Sequence, residues 1–355
     1  MPPRVMVAVG FLALLGGLEL AGAAPAWKQV LKQPPDWYGG AEARAVADSV
    51  LLYQTDSGGW PKNVDMTSPP SAEFFASTAA DHRAPTIDNG ATHTQLRLLA
   101  RIVTATNEAR YRAAFERGFD YLLAAQYANG GWPQFYPLLK GYYSHITYND
   151  DAMAGVLEVL RDASEGRPPY GFVDAARRAR AANAVVRGTA CILRTQVKQD
   201  GQLTVWCAQH DEVTLAPAWA RNFEPPSLSG EESVGVVRFL MGIEHPTPEE
   251  IAAIEGAMAW FQAVPVRGLR IDSSAGADGK KDRHVVADPA APELWARFYE
   301  LGTNRPVFIG RDKVIRYDFN AIERERRTGY AYLGNWPAKL IADDYPLWRA
   351  KHHRP

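Results

Sequence analysis

One short pattern recurs along this chain and limits what it can fold into. A leucine, a glutamine three residues later, a glycine-bearing turn and a tryptophan appear as LLYQTDSGGW from Leu51, LAAQYANGGW from Leu123 and LRTQVKQDGQLTVW from Leu193. Gln54, Gln126 and Gln196 therefore lie 72 and 70 residues apart. A period of this length is that of a helical hairpin with its loops, repeated three times, each copy burying a face its neighbour leaves open.

The flanking periodicity agrees. Tyr111, Phe115, Phe119, Leu122 and Leu123 recur at spacings of three and four before the second copy, and Asn129-Gly130-Gly131 ends that helix. A second amphipathic helix follows each turn, over 91–105, 152–163 and 231–243. The expected fold is all-α, an (α/α)3 toroid with long loops and a few short strands such as 203–206. No Pro/Ser linker divides the chain. Residues 69–83 and 268–288 read as long loops on one body, so 25–355 form a single catalytic domain.

Residues 1–24 stand apart. Arg4 precedes an apolar run from Val5 to Leu15 and small residues at Ala21-Gly22-Ala23, the layout of a secretory signal peptide, which implies a secreted or periplasmic protein. The net charge of -1 gives no global attraction to nucleic acid or to an anionic membrane, so a polyanionic partner must meet a local basic patch. With only Cys191 and Cys207, no disulfide framework or thiolate metal site is indicated; one bridge and two buried free thiols both stay open. Nothing demands more than a monomer.

Chemistry concentrates where the second helices begin. Aligning TIDN from Thr86 with TYND from Thr147 and SLSG from Ser227 puts Asp88 opposite Asn149 and Asn89 opposite Asp150, and in a closed toroid these entrances share a rim. Capping alone accounts for one Asp, Asn or Ser at such a place. The doubled pairs Asp88-Asn89 and Asn149-Asp150-Asp151 exceed what a cap needs, and clustered hard oxygens suit calcium. His93 and His145 lack a zinc spacing and read as structural or substrate contacts.

A basic strip, WARFYELGTNRPVFIGRDKVIRYDF, carries Arg297, Arg305, Arg311 and Arg316 among aromatic residues, a composition matched to an acidic sugar or, equally, to arginines paired with Glu300, Asp312 and Asp318. The turns GGWPKN and GGWPQFYP set Trp60 and Trp132 beside Lys62 and Gln134, as either sugar platforms or core.

Together GGWPKN, TIDNGAT, GGWPQFYP, HITYNDDAM, WCAQHD, PPSLSGEESVGVVRFLM, ARFYELGTNRPVFIGRD and TGYAYLGNWP resemble the pectate lyases of polysaccharide lyase family ten, from about Gly39 to Trp348. The resemblance implies calcium-assisted β-elimination on polygalacturonate. Asp88, Asn89 and Asp150 match its calcium positions, and Arg311 in IGRD its Brønsted base. Arg297 in ARFYE matches a subsite arginine and Arg221 in ARNFEPP another substrate contact, to which the reading of the turns adds Lys62, Trp60, Trp132 and Tyr148 as expected substrate contacts. Tyr332 stands where a tryptophan is expected. An arginine base requires neighbouring cations to depress its pKa. Two other readings remain: a toroidal glycoside hydrolase with Asp88 and Asp150 as acid and base, and a non-catalytic binder of acidic sugars.

Overall fold

The computed structural model describes residues 25–352 apart from 78, 80 and 277. The signal-peptide segment 1–24 lies outside the described residues. Among the described residues the body is built from α1 (Ala41–Leu52), α3 (His93–Thr106), α4 (Ala109–Ala124), α5 (Ala152–Ser164), α6 (Ala175–Thr195), α7 (Glu232–Met241) and α8 (Pro248–Ala263), with the single-turn α2 (Ala72–Ala76) between the first two. α3 packs on α4, α5 on α6 and α7 on α8, while α3, α5 and α7 pack in succession. This is the expected α/α toroid.

The repeated residues fasten this arrangement. Gln54 Nε2 donates to Gly58 O of its own turn and to Ala114 O in α4, at 2.7 and 2.8 Å. Gln126 does the same with Gly130 O and Ala184 O in α6, at 3.0 and 2.9 Å. Gln196 bonds Thr204 O and Ala253 O in α8, at 2.8 Å each. Each glutamine thus closes its own turn and ties α1, α4 and α6 to the next helix of the outer ring through a backbone carbonyl of that helix.

The tryptophans wedge between the rings. Nε1 of Trp60, Trp132 and Trp206 donates to Val50 O, Leu122 O and Ile192 O at 2.9, 2.8 and 2.7 Å, and all three side chains are fully buried. Gly118 in α4 and Gly188 in α6 make room: a Cβ there would lie 2.5 and 3.0 Å from the Trp60 and Trp132 rings. Burying an indole removes about 150–250 Å² from water, an upper limit of roughly 4–6 kcal/mol at 25 cal/mol/Å².

The loop expectation for 268–288 fails. Leu269–Ala275 and Lys281–Ala287 form an antiparallel hairpin in continuous register from Leu269↔Ala287 to Ala275↔Lys281. Its charged strands and the GADGKK turn hide the alternation, and the hairpin is fixed from outside by Arg327 on Asp282 at 3.0 and 2.8 Å. In 69–83, α2 interrupts the loop and Ser71 caps it through Phe74 N. Cys191 and Cys207 are buried and unbridged. Among the described residues no helix is long and apolar enough to cross a membrane.

Candidate active site

Each wedge tryptophan also positions the turn ahead of its inner helix. Trp60 O accepts from Thr86 N at 3.0 Å, Trp132 O from Thr147 N at 3.1 Å and Trp206 O from Ser229 N at 2.8 Å. The first two turns then do what ordinary helix starts avoid. Asn89 and Gly90 have φ of 50° and 76°, and Asp150 and Asp151 have φ of 50° and 58°. Left-handed backbone is uncommon for residues with a Cβ and marks a turn held in place by its surroundings. Neither turn caps its helix through a side chain. The third turn behaves differently: Ser229 Oγ accepts from Glu231 N and Glu232 N at 3.2 and 3.1 Å.

Freed from capping, the polar side chains of the first two turns meet. Asn149 Nδ2 donates to Asp88 Oδ1 at 3.1 Å and to Asp150 Oδ2 at 2.7 Å. Asp88 Oδ2 receives Lys62 Nζ at 2.7 Å and Gln134 Nε2 at 2.5 Å, while Asn89 Nδ2 reaches Asn63 Oδ1 at 2.8 Å. These residues line a cavity of about 230 Å³ together with Gln209, Arg221, Glu224, Arg297 and Tyr330.

Arg297 closes its far side. The guanidinium is nearly buried, stacks over Tyr330 at 4.7 Å, and contacts Glu231, Glu232 and Asp150 at 2.6, 2.9 and 3.5 Å. Burial pulls its pKa down, but the carboxylates led by Glu232 outweigh that and hold it above the ordinary arginine value. Arg221 is set by Glu224 through two bonds of 2.8 and 2.5 Å, and Tyr330 Oη donates to the same carboxylate at 2.8 Å.

Negative charge is in excess. Asp150 is raised by burial and by Asp88, Asp151 is pushed up to about 6 by burial and Glu232, and Glu231 is raised by burial and Glu232. Gln134 Oε1 is buried without a hydrogen-bond partner. Hard oxygens, crowded carboxylates and an orphaned amide oxygen are a donor set of the kind that fits a divalent cation of the calcium type. A second group able to offer metal ligands, His145, Asp211 and Glu212, lies outside this lining.

Residues 54–341 match the family described as pectic acid lyase. A family 10 polysaccharide lyase from Cellvibrio cellulosa is 38% identical, with a TM-score of 0.76, covering 88% of this chain and 96% of its own. An aspartate-to-alanine mutant of a family 10 polysaccharide lyase from the same organism, solved in complex with trigalacturonic acid, is 37% identical, with a TM-score of 0.76 and coverages of 88% and 97%. The chain belongs to the pectic acid lyase family. No curated protein matches it. The likeness to both solved polysaccharide lyases makes it a lyase of that class.

In this pectic acid lyase Asp88, Asn89, Asp150, Lys62, Arg221 and Arg297, distant in sequence, share one cavity. Three expected substrate contacts do not reach it. Trp60 and Trp132 are core wedges, and Tyr148 is buried with Oη bonded to Thr195 Oγ1 at 2.7 Å. The repeat that drew attention to the tryptophans is architectural. Tyr332 is likewise core, its hydroxyl donating to Ile309 O.

The basic strip also disperses: Arg305 stacks on Tyr317 at 3.5 Å and Arg316 pairs with Asp312 at 2.6 Å. Arg311 is not among the residues lining the cavity; it lies 5.7 Å from the Phe223 ring on which Arg221 also stacks, and is largely exposed. Glu325 grips it through bonds of 3.0 and 2.9 Å and raises its pKa, against the depression an arginine base needs, with Arg221 opposing weakly.

His93 is a buried structural residue whose pKa is lowered by burial and by Arg97, and His145 pairs with Glu212 at 2.9 Å. Gln209, Glu224, Tyr330 and the Glu231-Glu232 pair were not singled out from the sequence as site residues, and Gln134 was noted only as a neighbour of Trp132. One signal was available for Gln134: it follows Trp132 by two positions as Lys62 follows Trp60, and both side chains meet Asp88.

Proposed function

We propose that this lyase cleaves α-1,4-linked polygalacturonate by β-elimination, with calcium held at Asp88, Asn89 and Asp150. The observation that carries the reading is one polar cavity in which Lys62, Arg221 and Arg297 face a cluster of carboxylates. A uronate carboxylate suits the cations, and the carboxylates suit a metal that a second uronate oxygen completes. Calcium bound there would draw charge from the uronate carboxylate and so ease loss of the adjacent C5 proton.

The chain's own groups supply the rest. Arg297 and Arg221, each fixed by a buried glutamate, offer guanidinium forks that need little reorganisation as carbanion character grows at C5. Lys62 neutralises Asp88 and adds positive charge on the opposite wall. Arg311 is our candidate to take the C5 proton, which requires it to leave Glu325 and enter the field of the cavity's cations. The glycosidic oxygen at C4 then departs with the C–O bonding pair and takes a proton from solvent, and a C4–C5 double bond remains on the new non-reducing end. No water attacks, so no water-activating carboxylate is needed, which separates this reading from hydrolysis.

Ultraviolet absorbance of the unsaturated product on polygalacturonate, measured with calcium and with a chelator, tests it. The wild type should form that product, Asp150→Ala should need much more calcium for a lower rate, and Arg311→Ala should abolish turnover while keeping the fold. Saturated fragments, or undiminished turnover of Arg311→Ala, would refute the mechanism. Export of the enzyme as a monomer through its N-terminal leader belongs to the same proposal.

A further inference from the structure

Beside the cavity just described lies a second and larger one, about 380 Å³, walled by Trp27, Lys28, Pro61, Val64, Asp65 and Gln95. The two share Lys62, Asn63 and Asn89 as lining, so the Asn89–Asn63 hydrogen bond forms a ridge between them. Its volume falls within the roughly 300–1,000 Å³ range of small-molecule sites.

We propose that this cavity is a distal subsite of the substrate cleft, which takes a further uronate unit of the polymer on the Trp27–Lys28 side of the ridge. The inference rests on the acidic-polymer reading above and says where the chain runs once it leaves the reacting unit. Trp27 is only partly buried in its short helix and offers an indole face for a sugar ring. Lys28 is exposed and makes no ion pair among the described residues, which leaves its ammonium for a carboxylate.

Two further groups complete the chemistry. Gln95, buried in the wall, keeps Oε1 without a hydrogen-bond partner, an acceptor for a sugar hydroxyl. Asp65 is the opposing charge, but its Oδ1 is turned into its own loop, where it accepts from Thr67 N at 3.0 Å and from Thr67 Oγ1 at 2.6 Å. The ridge residues line both cavities, and a substrate too short to cross the ridge leaves the second unused.

The test compares kcat/KM on trigalacturonate, hexagalacturonate and polygalacturonate for wild type, Trp27→Ala and Lys28→Glu. The ratio of long to short substrate should fall about threefold to tenfold in each variant, carried by KM, because a remote contact made equally in ground and transition states acts on binding. An unchanged ratio, or an equal loss on trigalacturonate, overturns the subsite. Lys28 is exposed, so its variant reads the outcome even where Trp27→Ala loses stability. A wild type that forms no unsaturated product defeats the functional reading instead, whereas a normal wild type with an unchanged ratio in both variants defeats only the extension.

Discussion

Arg297→Met removes the cation that, among the described residues, the third turn's carboxylates share. Arg297 and Glu232 side chains are 7% and 1% exposed, and Glu231 at 2.6 Å is about a quarter exposed. Breaking a buried pair by deleting one partner costs about 3–5 kcal/mol, because the remaining charge has no solvent to turn to. Asp150, at 3.5 Å and more than a third exposed, adds little to that figure.

The same geometry fixes the pH dependence. Burial and Glu232 already raise Glu231, and loss of Arg297, which opposes them, raises it further. A carboxylate whose folded pKa lies above its unfolded value near 4.3 is harmless below that value and destabilises progressively as pH rises through the folded pKa. Urea unfolding followed by tryptophan fluorescence should show a deficit of about 3–5 kcal/mol at pH 8 that shrinks by at least about 1 kcal/mol at pH 5. Adding Glu231→Gln should recover part of it. A deficit below about 1 kcal/mol at pH 8, or one that grows on acidification, would refute the view that Arg297 is held by uncompensated carboxylates.

Two further outcomes are expected. Glu325→Gln releases Arg311 from the contact that raises its pKa, so the alkaline pH profile of elimination should move to lower pH by up to about one unit; a profile that stays in place would mean that Arg311 does not carry the titrating step. Gly188→Ala drives a Cβ to within 2.5 Å of Leu157 and 3.0 Å of Trp132, which should lower stability by about 1–3 kcal/mol in thermal or urea unfolding while leaving the cavity's chemistry intact. A neutral Gly188→Ala would show that the wedge is loosely packed.

Periodicity made the fold legible and misled about part of the site for one physical reason. A residue that recurs every 70 positions must do the same thing in each copy, and the job common to all copies is joining one helix pair to the next. Gln54, Gln126 and Gln196 do that with paired carbonyls, and Trp60, Trp132 and Trp206 do it with buried indoles, so the tryptophans were legible as repeats and unavailable as sugar platforms. Chemistry lies where the copies diverge. Asp88-Asn89 and Asn149-Asp150 stood out because they exceed a cap, while Ser229 at the third turn is taken up by the Glu231 and Glu232 backbone N–H groups and leaves those two side chains to hold Arg297.

Arg297 itself comes from outside the repeats, as does Tyr330, while Arg221 and Glu224 sit in the loop of the third copy, and no period announces any of them. Their places depend on backbone pairing across the chain, in which Arg297 N donates to Tyr332 O and Arg297 O accepts from Gly230 N. Long-range pairings of two residues carry too little alternation to be read from sequence. A threefold scaffold therefore supplies three near-equivalent turns, and the site is functional because its inserts break that equivalence, setting cations against the two acidic turns and leaving the third to anchor them.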